Sequence, residues 1–172
     1  MKIFKLFNQV NGYASIDFYD DEINDILKGR LDVNILNGKR FRWHFFEDAS
    51  KISDSPFYLG AFPIFEEKKV HGFSFIDSKI ALFKVEGVDY IAVAAPIISG
   101  NIIDKEKSTI NLFRSGKIMM VKKFALRNDI LYPQFFRIDE YPLFTFVTEE
   151  MRISLCSLGL SQLLFEECTM VE

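Results

Sequence analysis

The stretch FFRIDEYPLFTFVTEEMRISLCSLGLSQLLFE, Phe135 to Glu166, decides the fold class. Two short apolar runs open it, Phe135 to Ile138 and Leu143 to Val147. Pro142 between them has no N–H for a sheet ladder, so they read as separate strands. Thr148 then offers a side-chain oxygen as an N-cap, and Glu149 and Glu150 suit the positive end of a helix. Met151, Leu155 and Leu158 recur at i, i+4 and i+7 as one apolar stripe, and Gly159 can take the left-handed position that ends the helix. Leu163 to Glu166 returns to a strand. Strand, strand, helix, strand is not the regular alternation of a doubly wound parallel sheet, and it points to α+β.

The chain upstream agrees. Val88 to Ile98 and Lys117 to Leu126 are rich in β-branched and other apolar residues, so both are expected as strands well inside a sheet. Between His71 and Glu86, Phe73 and Phe75 alternate as in a strand. Ser74-x-x-Asp77 has the spacing of a capping box, however, and Ile76, Ile80 and Phe83 recur at i, i+4 and i+7, which predicts a helix. Asn37-Gly38 predicts a type I′ hairpin over residues 31–46, with Phe41 to Phe46 as its second strand. Asp20 as cap, Asp21 and Glu22 behind it, the stripe Ile23, Ile26, Leu27 and a terminating Gly29 predict a short helix. Before it, Ala14, Ile16 and Phe18 alternate with Ser15, Asp17 and Tyr19 as in a half-buried strand, and Glu47 to Pro56 is polar enough for a surface loop. The expectation is one α+β domain over residues 1–172, with a mostly antiparallel or mixed sheet and about three helices.

Composition narrows the function classes. With 172 residues and a formal charge of −3, the chain is too close to neutral to act as a whole as a nucleic-acid or membrane-surface binder. The longest apolar run, Tyr90 to Ile98, contains Pro96 and falls well short of the ~20 residues that span a bilayer. Lys5 breaks the N-terminal apolar run and no small-residue cleavage site follows, so a cytoplasmic protein is expected. Cys156 and Cys168 cannot make a disulfide framework and are expected reduced and buried. Aromatics are abundant: 19 Phe, 6 Tyr and 1 Trp leave either a ring-rich core or rings on the surface.

Two histidines exclude a histidine-rich metal site. His44 falls on the strand face of Arg42 and reads as a solvated strand residue, and His71, before Gly72, reads as a loop residue. No nucleophile elbow, H-E-x-x-H, C-x-x-C, dinucleotide or phosphate-loop pattern occurs. The acid pairs Glu66-Glu67, Glu149-Glu150 and Glu166-Glu167 read as structural or solvated, because neighbours in a strand point to opposite faces and acids at a helix start meet its dipole. No catalytic residue, metal ligand or cofactor is therefore expected.

Charge is unevenly spread. Asn101 to Arg127 holds seven bases against two acids, and Asp139 to Glu172 holds seven acids against one base. The simplest expectation is that these segments adjoin and neutralise one another.

The second part of the chain also carries blocks in a distinctive order. Phe62-Pro63-Ile64-Phe65 precedes Ser74 to Lys84 and Tyr90-Ile91-Ala92-Val93, and Asn101-Ile102-Ile103-Asp104-Lys105-Glu106-Lys107-Ser108 follows. Ile118 to Phe124 then leads to Phe135-Phe136-Arg137-Ile138, Phe146-Val147-Thr148-Glu149-Glu150, Leu158-Gly159-Leu160 and Leu164-Phe165-Glu166-Glu167. In this order and wording the chain, over about residues 60–168, resembles a family of bacterial immunity proteins that neutralise toxins of polymorphic or contact-dependent secretion systems. It departs from the family at Ile64, where an acid is expected, and at Gln162, where a glycine usually stands. The resemblance implies a non-enzymatic protein whose partner is a cognate toxin domain. Residues 61–172 are then the family-like part and 1–60 the variable part that faces the partner. On that division Asp17, Asp20, Asp21, Glu22 and Asp25, with Tyr19 and Trp43 as aromatic anchors, are the candidate toxin-binding residues. The alternatives are a small enzyme using Asp17, His44 or Glu66, and a scaffold subunit.

Overall fold

Ile3–Asn8, IFKLFN, forms β1, the strand around which one of two five-stranded sheets is built. The computed structural model describes residues 1–8, 16–30, 32–45, 53–58, 61–71, 73, 81–85, 87 and 89–172. β1 pairs antiparallel on one side with β14 (Phe146–Thr148), Phe4 opposite Val147, and on the other with β15 (Leu163–Glu167), Phe4 opposite Glu167. β14 continues to β13 (Phe135–Ile138), whose outer neighbour is β9 (Ile97–Ile98), giving the order β15-β1-β14-β13-β9. Both faces of β1 are covered. Phe4 and Leu6 enter a core with Phe65, Val93, Phe135 and Leu155, while Ile3 enters another with Phe124, Phe136, Phe146 and Cys168.

The second sheet runs β3 (Arg40–Phe41), β7 (Ala81–Val85), β8 (Tyr90–Ala94), β6 (Phe62–Glu66), β5 (Phe57–Tyr58). α1 (Asp21–Leu27) puts Ile23, Ile26 and Leu27 into one core with Phe62, Ile64 and Ala92. At ~1.5–3 kcal/mol for each such side chain, that burial and not helix propensity holds a seven-residue helix. α2 (Glu67–Val70) follows β6 directly, and α3 (Glu149–Cys156) covers the first sheet with Met151 and Leu155. Thr148 Oγ1 caps α3 by accepting from Met151 N at 3.4 Å. The fold class is α+β, with antiparallel and mixed sheets.

Four expectations are corrected. Residues 31–46 are not a hairpin: Asp32 accepts from Asn34 N and caps a short 3-10 turn, Val33–Leu36. Asn37 at φ −57°, ψ 122° and Gly38 at φ +71° make the following turn type II, closed by Lys39 N donating to Leu36 O at 2.9 Å. β3 then pairs parallel with β7, and β4 (Trp43–Phe45) antiparallel with β2 (Ile16–Phe18). The helix expected before Glu86 fails where it is described, since Ala81–Val85 is a strand held between β3 and β8, where pairing on both edges overrides a local i, i+4 spacing. Residues 74–80 of that expectation, and Ala14 and Ser15 of the first alternation, lie outside the described residues.

Val88 to Ile98 is two strands in different sheets, because the chain leaves β8 at Ala95-Pro96 and enters β9. Lys117 to Leu126 likewise divides at Phe124 and is not interior. β11 (Ile118–Lys123) pairs only with β10 (Thr109–Leu112) in an exposed ribbon, and β12 (Ala125–Arg127) pairs parallel with β16 (Thr169–Val171).

Arg137 fastens the two sheets together. It stands in β13 with 0% of its surface exposed. Nε donates to Ala95 O at 3.0 Å, Nη2 to Ile26 O at 3.2 Å and Nη1 to Leu27 O at 3.4 Å. The cation thus meets the carbonyl end of α1, where the helix dipole is negative, and stands 5.0 Å from the Phe62 ring. Burial lowers its pKa to about 10, still well above neutral. Thr145 makes a second cross-link, its hydroxyl donating to Ala61 O.

Candidate interaction surface

The predicted partner-facing residues gather where β2, β4 and α1 meet. Tyr19 is 59% exposed. It is nonetheless held, because its ring stacks on His44 at 4.5 Å, the Arg42 guanidinium lies 6.0 Å from it, and its N–H donates to Arg42 O at 3.3 Å. Trp43 is half-buried and packs against the core under α1, which makes it a support for this surface more than a free anchor. Asp17 lies opposite His44 in the β2–β4 register, its Oδ2 3.7 Å from His44 Nε2, and its Oδ1 accepts from Phe18 N at 2.9 Å. Asp20 occupies the N-cap position of α1 without a side-chain capping bond, and its Oδ2 is buried with no hydrogen-bond partner.

The acids are not the open cluster that sequence suggested. Glu22 pairs with Lys39 at 2.8 Å and Asp25 with Arg30 at 3.1 Å, both half-exposed, while Asp21 is exposed and unpaired. The physical reason is the type II turn at Asn37-Gly38, which returns Lys39 toward α1 where a hairpin would have carried it away. What remains is an aromatic and mixed-charge surface around Tyr19.

The side chains named for a possible enzyme fall in two places. Asp17 and His44 form the exposed pair just described. Glu66 ends β6, pairs with Lys68 at 3.3 Å, and lines an open groove of about 830 Å³ with Glu67, His71, Asp89 and Tyr90. His71 ends α2 and is exposed there, and no hydrogen bond among the described residues joins it to a carboxylate. The Tyr90 hydroxyl donates to Ser53 O at 2.9 Å, and its pKa is raised by burial and by Glu66 and Asp54. A second cleft, of about 670 Å³, lies beside Arg137 and carries Lys28, Arg30, Asp32 and Asp139, a lining of mixed sign. Among the described residues no group of three or more His, Cys, Asp or Glu side chains is arranged to hold a metal ion. No helix is long and apolar enough to cross a membrane among them either.

Two polar sites escaped the sequence reading. Asp54 accepts from Lys69 Nζ at 2.7 Å and from Ser161 N at 3.1 Å, and so ties the loop before β5 to α2 and to the turn after α3. Burial raises its pKa, and the Lys69 and Ser161 bonds more than offset this, holding the carboxyl below its ordinary value. Gln162 accepts from Asp54 N at 3.2 Å. Arg137 is the other, and a lone arginine in an apolar strand gives no signal of where its guanidinium goes. The cysteine expectation is half corrected: Cys168 is buried, which pushes its thiol pKa up to about 12, but Cys156 is exposed on α3 because it stands off the Met151, Leu155 stripe.

The oppositely charged segments adjoin without neutralising one another. Their backbones meet where β12 pairs with β16, and Glu140 accepts from Ile102 N at 2.8 Å and Ile103 N at 3.0 Å. Glu166 pairs instead with Lys5 of β1 and Glu167 with Lys2 just before it, and among the described residues no ion pair joins the two segments. Compared with known proteins, the chain matches no family model, and no curated protein is significantly similar to it.

Proposed function

We propose that this chain is an immunity-type inhibitor, a cytoplasmic bacterial protein that performs no catalysis. It binds one cognate toxin domain of a polymorphic toxin system and covers that domain's active site or an exosite. The order of sequence blocks over residues 60–168 supports the class. The observation that carries the reading into the molecule is Tyr19, a ring more than half exposed yet fixed by His44 and Arg42. Inhibition by occlusion favours such an anchor, because a side chain ordered before binding loses little entropy on contact. Asp21, two residues on, exposed and with no ion pair among the described residues, supplies charge for steering.

The test is protection. A candidate toxin domain, sought in the reading frame next to this chain's gene, is expressed in a sensitive host with and without this chain. The expected result is growth only with the chain, and reduced protection from Tyr19→Ala and Asp21→Lys at equal thermal stability. Killing that a folded, abundant chain does not relieve contradicts the function. Full protection by both variants removes this surface from the interface.

A further inference from the structure

Among the described residues, the ribbon formed by β10 and β11 gathers four of the exposed large apolar side chains. Leu112 is 54%, Phe113 55% and Met119 48% exposed, with Met120 beside them. Irregularities in the register, between Thr109 and Ile110 and between Asn111 and Leu112, set the strands so that Ile110, Ile118 and Val121 reach the core while these four do not. The same ribbon is cationic: from Lys107 to Lys123 the chain has Lys107, Arg114, Lys117, Lys122 and Lys123 and no acid. None of the five makes an ion pair among the described residues, whereas Lys2, Lys5, Arg30, Lys39 and Lys69 each reach a carboxylate.

The complement stands on the same molecule. The outer face of α3 carries Glu149 and Glu150, neither in an ion pair among the described residues, and Ile153, 58% exposed, one helical turn further on. Exposed Cys156 continues that face, opposite the buried Met151 and Leu155. An apolar side chain with two acids one turn before it complements apolar side chains flanked by basic residues, and among the described residues no ion pair joins the two patches within one copy.

We propose that the ribbon of one copy docks on the outer face of α3 of a second copy. The surfaces differ, so the contact is heterologous and association proceeds head to tail or closes into a ring. A bilayer is the less suitable occupant. The end of the ribbon is Arg114-Ser115-Gly116-Lys117, held by Phe113 N donating to Lys117 O at 2.9 Å, so charge stands in front of the apolar side chains that would have to insert.

Sedimentation of the full chain tests this at about 10 mM salt, where charges act over about 30 Å, and at about 1 M, where they act over about 3 Å. The average mass is expected to rise above that of the monomer with concentration at low salt and to fall back at high salt. Lys122→Glu with Lys123→Glu is expected to weaken self-association about tenfold, as is Glu149→Lys with Glu150→Lys. An equimolar mixture of the two charge-reversed proteins is expected to regain most of the loss. Thermal melts of each variant separate weakened docking from misfolding, and Phe113→Ser, which alters no charge, is a second probe of the ribbon. A chain that stays monomeric at low salt overturns the proposal. So does association unchanged by the ribbon variants, or a mixture that fails to regain it. Binding of the monomer to phosphatidylserine vesicles, lost in the Lys122→Glu, Lys123→Glu variant, would assign the ribbon to a bilayer instead.

Discussion

β1 and β11 are six-residue strands of nearly equal apolar content, IFKLFN and IMMVKK, and they meet opposite fates. β1 is paired on both edges and covered on both faces, and its one lysine is absorbed: Lys5 pairs with Glu166 and lies 5.0 Å from the Phe144 ring and 5.8 Å from the Phe124 ring. Among the described residues β11 is paired on one edge, buries only Val121 fully, and leaves both its lysines without a carboxylate. Local hydrophobicity therefore does not decide burial here. What decides it is whether the rest of the chain supplies a second edge, a second face and a counter-charge.

Substitutions can break this contrast, and the largest effect is expected at Arg137. Arg137→Ala removes a donor from the carbonyls of Ala95, Leu27 and Ile26, of which Ile26 O keeps Gly29 N, and empties a large volume in the β1 sheet, at a cost of roughly 4 kcal/mol, or about 8–16 °C in Tm. Lys122→Ala on the ribbon should change stability by less than ~0.5 kcal/mol. Leu6→Ala in β1 should cost about 3 kcal/mol, while Met119→Ala in β11 should again stay within ~0.5 kcal/mol. Denaturant unfolding of the four variants measures all of this, and equal losses in the two strands would erase the contrast.

A smaller effect sharpens it with pH. Cys168 lies in the core beside β1, its folded pKa raised from 9.0 to about 12 by burial. The folded state keeps the thiol proton and the unfolded state releases it. This thiol's contribution is therefore constant below pH 9 and declines as pH rises from 9 toward 12. Cys168→Ala should lower stability at neutral pH and flatten that alkaline decline. Tyr132, raised to about 12 by burial and by Asp129, continues to contribute to the decline in the variant. The smallest effect is kinetic: a thiol reagent at neutral pH should label exposed Cys156 quickly and Cys168 only as the protein opens. Equal rates would contradict the burial assigned to the β1 side.

The legible parts of the fold were those whose signal is local. Thr148, the Met151, Leu155 stripe and Gly159 located α3 to within a residue or two, and Asp21 to Leu27 did the same for α1. Errors fell where a distant partner overrides a local pattern. Ala81–Val85 follows strands on either side of it, not its own spacing, and Asn37-Gly38 closes a turn whose flanking strands pair elsewhere. β1 itself passed unread, since its alternation is broken by Lys5, a lysine whose counter-charge lies more than a hundred residues away at Glu166. The candidate surface is legible as a set of residues and not as an electrostatic state: Lys39, beyond the turn at Asn37-Gly38, pairs with Glu22, and Arg30, just after α1, pairs with Asp25.

The central claim is that this molecule works by holding one toxin domain, and affinity measures it most directly. Calorimetric titration, with the full chain, of the toxin domain that the protection assay identifies is expected to give one-to-one saturation with Kd near ~1 nM or tighter, since a weaker complex would leave active toxin free. The toxin's activity should vanish at the same equivalence point. A titration with no binding heat at micromolar concentrations, in which the toxin domain stays fully active beside excess folded chain, would contradict the account.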